Sequence, residues 1–220
     1  MKEKIKQIFN NEKEFDLLVE EILLISDNEV VRSVRKKKMM GLIAQIRKVY
    51  LGAHYDAVTD SLTGCFNKKH IEDLFHYQYA AAKRNKQYFS IAVLDIDYLK
   101  YINDTFGHST GDKIIKRFAQ AIAKAIREND MLFRYGGDEF VFFCSHSDKT
   151  GLKKVVKRIE KEVSKVKVTK DLGISVTIGY KVCNTQRLPN MSYNEVFISA
   201  DKMLYDEKHK RKPPTLNHTR

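Results

Sequence analysis

The first 57 residues alternate polar and apolar positions at helical spacing. Phe15, Leu18, Val19, Ile22 and Ile25 form one apolar face. Ser26-Asp27-Asn28 then reads as a turn and helix N-cap, and a second helix is predicted from Glu29. In it Met39, Leu42, Ile46, Val49 and Ala53 step by three and four residues in turn, an a/d seam of about two heptads. Such a seam pairs either with a copy of itself or with the first helix, and its length does not decide between them.

The pattern changes after Val58. Tyr88 to Ile96 is an almost unbroken apolar run, the mark of a buried strand. Asp112 to Arg127 is amphipathic, with Ile114, Ile115, Phe118, Ile122 and Ile126 on its inner side. Met131 to Tyr135 and Glu139 to Cys144 are two short strands around Gly136-Gly137-Asp138, a hairpin signal. A helix over Leu152 to Val166, a strand over Ile174 to Val182 and a last helix over Asn194 to Lys210 follow. This alternation predicts an α/β (α+β) domain: a mixed central sheet flanked by helices, preceded by a helical segment. The expected divisions are 1–56 for the helical segment, 57–212 for the sheet domain and 213–220 for a flexible tail.

Composition narrows the picture. The chain has 220 residues, 43% of them hydrophobic, enough to fold around a core. Its formal net charge of +12 favours polyanionic partners but carries no information about fold. The basic run Arg35 to Lys38 reads first as a solvated face. No RNA- or DNA-binding motif accompanies the charge, so no nucleic-acid partner is expected. Cys65, Cys144 and Cys183 are far apart and odd in number, which argues against a disulfide framework or a zinc site and for a reducing compartment. No signal peptide is visible, and the apolar stretch near Leu17 to Ile25 is interrupted by Glu20 and Glu21, so no membrane span is expected. These features together predict a cytoplasmic protein.

The candidate chemistry lies at strand ends. Asp95 and Asp97 close the first strand, and Asp138 and Glu139 sit at the hairpin tip. If those elements are neighbours, the carboxylates converge, repel one another, and are relieved by a hard cation such as Mg²⁺. Two such ions can align an attacking oxygen with a leaving phosphate. Gly136 and Gly137 would let a phosphate approach the backbone. From the residues alone, a solvated acidic turn accounts for the pair equally well.

Four ordered blocks bear on that choice. Arg134-Tyr135-Gly136-Gly137-Asp138-Glu139-Phe140 resembles the signature of the GGDEF diguanylate cyclases. Asp60-Ser61-Leu62-Thr63-Gly64 resembles the family's DxLTG entry motif. Asp95-Ile96-Asp97 with Lys100, Asn103-Asp104, Gly107-His108 and Gly111-Asp112 resembles its strand-to-helix block, and Ala200-Asp201, Leu204-Tyr205 and Lys208 its closing helix. The likeness covers about residues 57 to 212.

The resemblance implies a sheet related to nucleotide cyclases and polymerase palms, and condensation of two GTP molecules into cyclic di-GMP across a homodimer, with release of two pyrophosphates. It implies that Asp95, the Ile96 carbonyl, Asp138 and Glu139 bind two Mg²⁺ ions, or Mn²⁺ in their place. Either Asp138 or Glu139 serves as the base for the 3′-OH; the resemblance does not say which. Asn103 and Asp112 would contact guanine, because a carboxylate accepts from both N1–H and the 2-amino group, a donor pair that adenine lacks. Lys100, Lys208 and Lys212 would offset triphosphate charge. His108 would border the nucleotide or, equally, pack its loop. Arg127 and Asp130 resemble the family's RxxD inhibitory product site, with Arg158 completing it. The chain departs from the family's pattern at Leu99, usually Phe, and at Arg211, usually Gly; the second bears on Lys212. A non-catalytic receptor for GTP or cyclic di-GMP on the same fold is the alternative.

Overall fold

The computed structural model describes residues 57–210 apart from 146, 188 and 189. The two N-terminal helices with their seam, Arg211, Lys212 and the predicted tail lie outside the described residues. The chain divides into two units, Met1–Thr59 and Asp60–Arg220, and every element below belongs to the second.

Five strands, β1 (Phe66–Asn67), β2 (Tyr88–Ile96), β3 (Met131–Arg134), β4 (Glu139–Ser145) and β5 (Val176–Asn184), form one sheet in the order β1-β3-β4-β2-β5. The β1–β3 pair is parallel and the other pairs are antiparallel. The helices are α1 (Ile71–Arg84), α2 (Leu99–Phe106), α3 (His108–Ala125), α4 (Lys149–Val163) and α5 (Tyr193–Lys210). The mixed sheet flanked by helices is the architecture that the alternation predicts.

β2 is paired on both sides and covered on both faces, which is why eight of its nine residues are buried and its sequence reads as a continuous apolar run. Ala92, Leu94 and Ile96 join Phe140, Phe142 and Ile178 on one face, packed with Ile114, Phe118 and Ile122 of α3 and Leu152, Val155 and Ile159 of α4. The alternate positions Phe89, Phe133 and Phe143 meet Phe75 of α1 and Tyr193 of α5 in an aromatic cluster with ring centroids 4.6 to 6.0 Å apart. All three cysteines are free and buried, and burial pushes each thiol up to about 11.

Two helices lie outside the predicted elements: α1, and the short α2 that directly follows β2. α3 begins at His108 rather than at Asp112. Gly107, at φ +82°, closes α2 and opens α3, a conformation that non-glycine residues seldom adopt. α4 begins three residues before the predicted Leu152, because the Asp148 side chain accepts from the Gly151 amide at 2.7 Å and caps it.

Candidate active site

The strand end and the hairpin tip are neighbours. Asp95 and Glu139 are direct cross-strand partners in the β2–β4 register, so their side chains leave the sheet on the same face. The Ile96 amide donates to the Asp138 carbonyl at 3.2 Å, which ties the hairpin tip to the end of β2. Asp95 is buried and its carboxylate receives Lys208 Nζ of α5 at 2.6 Å. Burial above all pushes the Asp95 carboxyl up to about 6; the Lys208 ammonium pulls it down, and the charges of Asp138 and Glu139 add to the rise. Lys208 is thus the positive charge that meets the buried Asp95 carboxylate at this corner.

Asp97 goes elsewhere. Its carboxylate accepts from the Ser175 hydroxyl at 2.6 Å and the Thr177 hydroxyl at 2.5 Å, pinning the start of β5 to the end of β2. Of the four strand-end acids, Asp95 and Glu139 are direct cross-strand neighbours, whereas Asp97 is turned to these two hydroxyls.

The turn between β3 and β4 is braced by the last residue of β3 and the first residue of the turn. Arg134 donates to both Asp60 carboxylate oxygens, at 3.1 and 3.2 Å, and to the carbonyls of Gly136 at 3.2 Å and Gly137 at 2.9 Å. Asp60 is itself fixed by the amide and hydroxyl of Thr63 at 2.9 and 2.7 Å. Its carboxyl is pushed up by burial, but the Thr63 bonds and Arg134 outweigh that and hold it below the ordinary range. Tyr135 stacks on Phe197 of α5 at 4.9 Å and carries Lys68 Nζ 4.0 Å above its ring. A Cβ at Gly137 would meet nothing within 4 Å, so the outer side of the turn is open to a ligand, whereas one at Gly136 would lie 3.1 Å from the Glu139 carboxylate.

The strand-to-helix block follows directly on β2. Tyr98 turns the chain at φ +61° into α2, where Lys100 is exposed and Asn103 half-buried. The Asn103 side chain lies over Gly111, whose absent Cβ would fall 1.8 Å from Asn103 Oδ1. That seat places the amide beside the first turns of α3, which carry the exposed His108 and Asp112.

Arg127, Asp130 and Arg158 gather at the loop between α3 and β3. The Arg127 amide donates to Asp130 Oδ2 at 2.8 Å, and Asp130 is buried beneath it. Arg158 reaches from α4 to donate through Nε to the Ala125 carbonyl. Arg127 is exposed.

Among the described residues no three His, Cys, Asp or Glu side chains group closely enough to hold a metal by themselves. Asp95 and Glu139 nevertheless fit Mg²⁺, which is commonly held by one or two carboxylates with substrate phosphates completing the shell. No helix among the described residues is long and apolar enough to cross a membrane. The links from Asp60 to Arg134, and from Lys68 through Tyr135 to Phe197, could not be read from spacing, although Asp60 and Arg134 both stand inside recognisable blocks.

Residues 57–213 match the family model for "Diguanylate cyclase, GGDEF domain". Diguanylate cyclase DosC of Escherichia coli K12 is 28% identical over 205 residues, which cover 88% of this chain and 44% of DosC. The response regulator PleD of Caulobacter vibrioides is 34% identical over 134 residues, 56% of this chain and 30% of PleD. The chain thus spans less than half the length of these curated relatives. Among solved structures, the coiled coil and GGDEF domain of DgcB from Caulobacter crescentus, in complex with c-di-GMP, superposes with a TM-score of 0.71 at 28% identity, covering 82% of this chain and 95% of that one. With the signature turn tied to the entry motif through Arg134 and Asp60 and to the end of β2 through the Ile96 amide, and with the family model matched over residues 57–213, the chain belongs to the GGDEF family of diguanylate cyclase domains.

Proposed function

We propose that this chain is an active, cytoplasmic diguanylate cyclase that condenses two GTP into cyclic di-GMP and two pyrophosphates. The observation that carries this reading is the cross-strand pairing of Asp95 with Glu139, which sets two carboxylates side by side at the ends of β2 and β4. Asp95, Glu139 and the Ile96 carbonyl would hold Mg²⁺, two ions per site, or Mn²⁺. A metal held there would supply Lewis acidity to the α-phosphate and to the attacking 3′-OH.

The remaining work falls to the chain's own groups. Asp138 or Glu139 takes the proton of the attacking 3′-OH. Gly136 and Gly137 admit the phosphates against the turn. Lys100, Lys208 and Lys212 balance the triphosphate, with Lys208 already 2.6 Å from Asp95. Asn103, held over Gly111, and Asp112 receive guanine, with His108 at the border. One site holds one GTP, so two copies of the domain must face each other; the predicted seam from Met39 to Ala53 would bring them together. Arg127, Asp130 and Arg158 would bind the product and slow the enzyme.

Incubation of the purified chain with GTP and Mg²⁺, with the product identified by mass, tests the reading. A product of the mass of cyclic di-GMP supports it. Binding of GTP or cyclic di-GMP without turnover would assign a receptor instead.

A further inference from the structure

The charge of the molecule is distributed unevenly, and the catalytic site does not account for it. Between Lys149 and Lys170 there are nine basic and two acidic residues. In the rest of 57–210 there are 17 basic and 17 acidic residues, so this one segment carries the whole net charge of that range. It comprises α4 and the loop that follows. α4 turns Leu152, Val155, Ile159 and Val163 into the core. Lys149, Lys153, Lys154, Lys157 and Lys161 are all exposed on its outer side, along about 18 Å of helix at 1.5 Å per residue.

α3 extends the same face. Its Arg117 donates to the Lys167 carbonyl at 3.3 Å, which joins it to the loop after α4. Glu162 is one of the segment's two acids, and its carboxyl is held low first by a hydrogen bond from Lys165, and then by Lys124 of α3 and Lys161. Among the described residues, Lys149, Lys153, Lys154 and Lys157 make no ion pair with a carboxylate. Their charge is not spent on holding the fold.

The chemistry of the face selects among polyanions. Eight of the nine cations between Lys149 and Lys170 are lysines, compact point charges without the planar fork that reads bases or grips single phosphates bidentately. Every exposed large apolar side chain among the described residues lies outside α3, α4 and the loop after α4, so there is no platform for stacking bases. The outward side of a packed helix is convex and does not enclose a small anion. A broad, diffuse anionic plane matches it best. We propose that the exposed face of α4, extended by Arg117 and Lys124 of α3 and Lys165 to Lys170, is a docking surface for anionic phospholipid membrane, holding the domain at the bilayer peripherally and by charge alone.

Co-sedimentation of the full chain with vesicles tests this. Binding to vesicles of phosphatidylcholine containing roughly one third phosphatidylglycerol is expected, with none to pure phosphatidylcholine, and it should weaken as salt rises. A K153Q/K154Q/K157Q variant should bind about a hundredfold more weakly, at roughly fivefold per lysine, with its affinity for GTP unchanged. Neutralising Arg35 to Lys38 instead should leave most of the binding in place. The proposal is overturned if anionic lipid confers no binding, if the triple variant binds like the original chain, if the Arg35 to Lys38 variant loses the binding, or if duplex DNA is bound more tightly than the anionic vesicles at the same salt.

Discussion

Asp95 and Glu139 stand opposite each other in the β2–β4 ladder, 44 residues apart in sequence and adjacent in space. Two carboxylates in that relation are stable together only with positive charge between or beside them, and Lys208 contacts only one of the pair, Asp95. Removing either charge should therefore cost more in metal binding than in folding. Asp95→Asn and Glu139→Gln are each expected to lower turnover of GTP by at least about a hundredfold, as loss of a metal ligand outweighs the roughly 10- to 100-fold effect of an outer partner. Mn²⁺ binding, followed by electron paramagnetic resonance, should weaken in parallel while the melting temperature holds or rises. Mg²⁺-dependent activity retained in both variants would place the metal site elsewhere.

Asp60 and Arg134 make an acid-sensitive brace. The folded-state pKa of Asp60 is depressed, so its contribution to stability is complete above the ordinary carboxylate value and is lost as pH falls through the lower folded value. Asp60→Asn should be less stable than the original chain at neutral pH, and the gap should narrow steadily below about pH 4. Urea midpoints at several pH values measure this. A gap independent of pH would mean that the carboxylate charge contributes nothing.

These two relationships also mark how far the residues alone could be read. β2 falls on its predicted bounds because burial on both faces leaves no polar interruption. α1 has an apolar stripe at Ile71, Phe75, Tyr79 and Ala82 that spacing of three and four could have revealed. α2 has only Leu99 and Ile102 buried in eight residues, too few for any period to register. At the site, Asp95, Asp138 and Glu139 were legible because strand ends concentrate them. The diversion of Asp97 to Ser175 and Thr177 was not, since those hydroxyls lie 78 and 80 residues further on and only the β2–β5 register brings them near.

Gly111 offers a way to separate recognition from stability. An added Cβ would collide with Asn103 Oδ1, the free end of a side chain, so the side chain rather than the helix should give way. Gly111 lies in the first turn of α3, where alanine is favoured over glycine by up to about 1 kcal/mol. Gly111→Ala should therefore melt within a few degrees of the original chain yet bind GTP about tenfold or more weakly, the loss of one hydrogen-bonding group to guanine. Calorimetric titration with GTP beside a thermal melt reads both quantities.

Gly179 should behave in the opposite way. It lies in the middle of β5, opposite Val93 of β2, where α5 crosses so closely that a Cβ would come within 2.2 Å of the Ala200 carbonyl oxygen and 2.3 Å of the Leu204 amide nitrogen. Both are backbone atoms of a helix anchored by Tyr193, Val196, Ala200 and Leu204, and neither can rotate aside. Gly179→Ala must push α5 off the sheet, and overpacking of this kind costs about 1–3 kcal/mol or more. In a domain of this size that lowers the melting temperature by roughly 2–4 °C per kcal/mol. Lys208 is one helical turn beyond Leu204, so the same displacement draws its ammonium away from Asp95. Loss of stability and loss of activity should appear together in Gly179→Ala, whereas Gly111→Ala should lose GTP affinity alone; a Gly179→Ala chain that melts like the original would show that α5 does not pack against β5 at this distance.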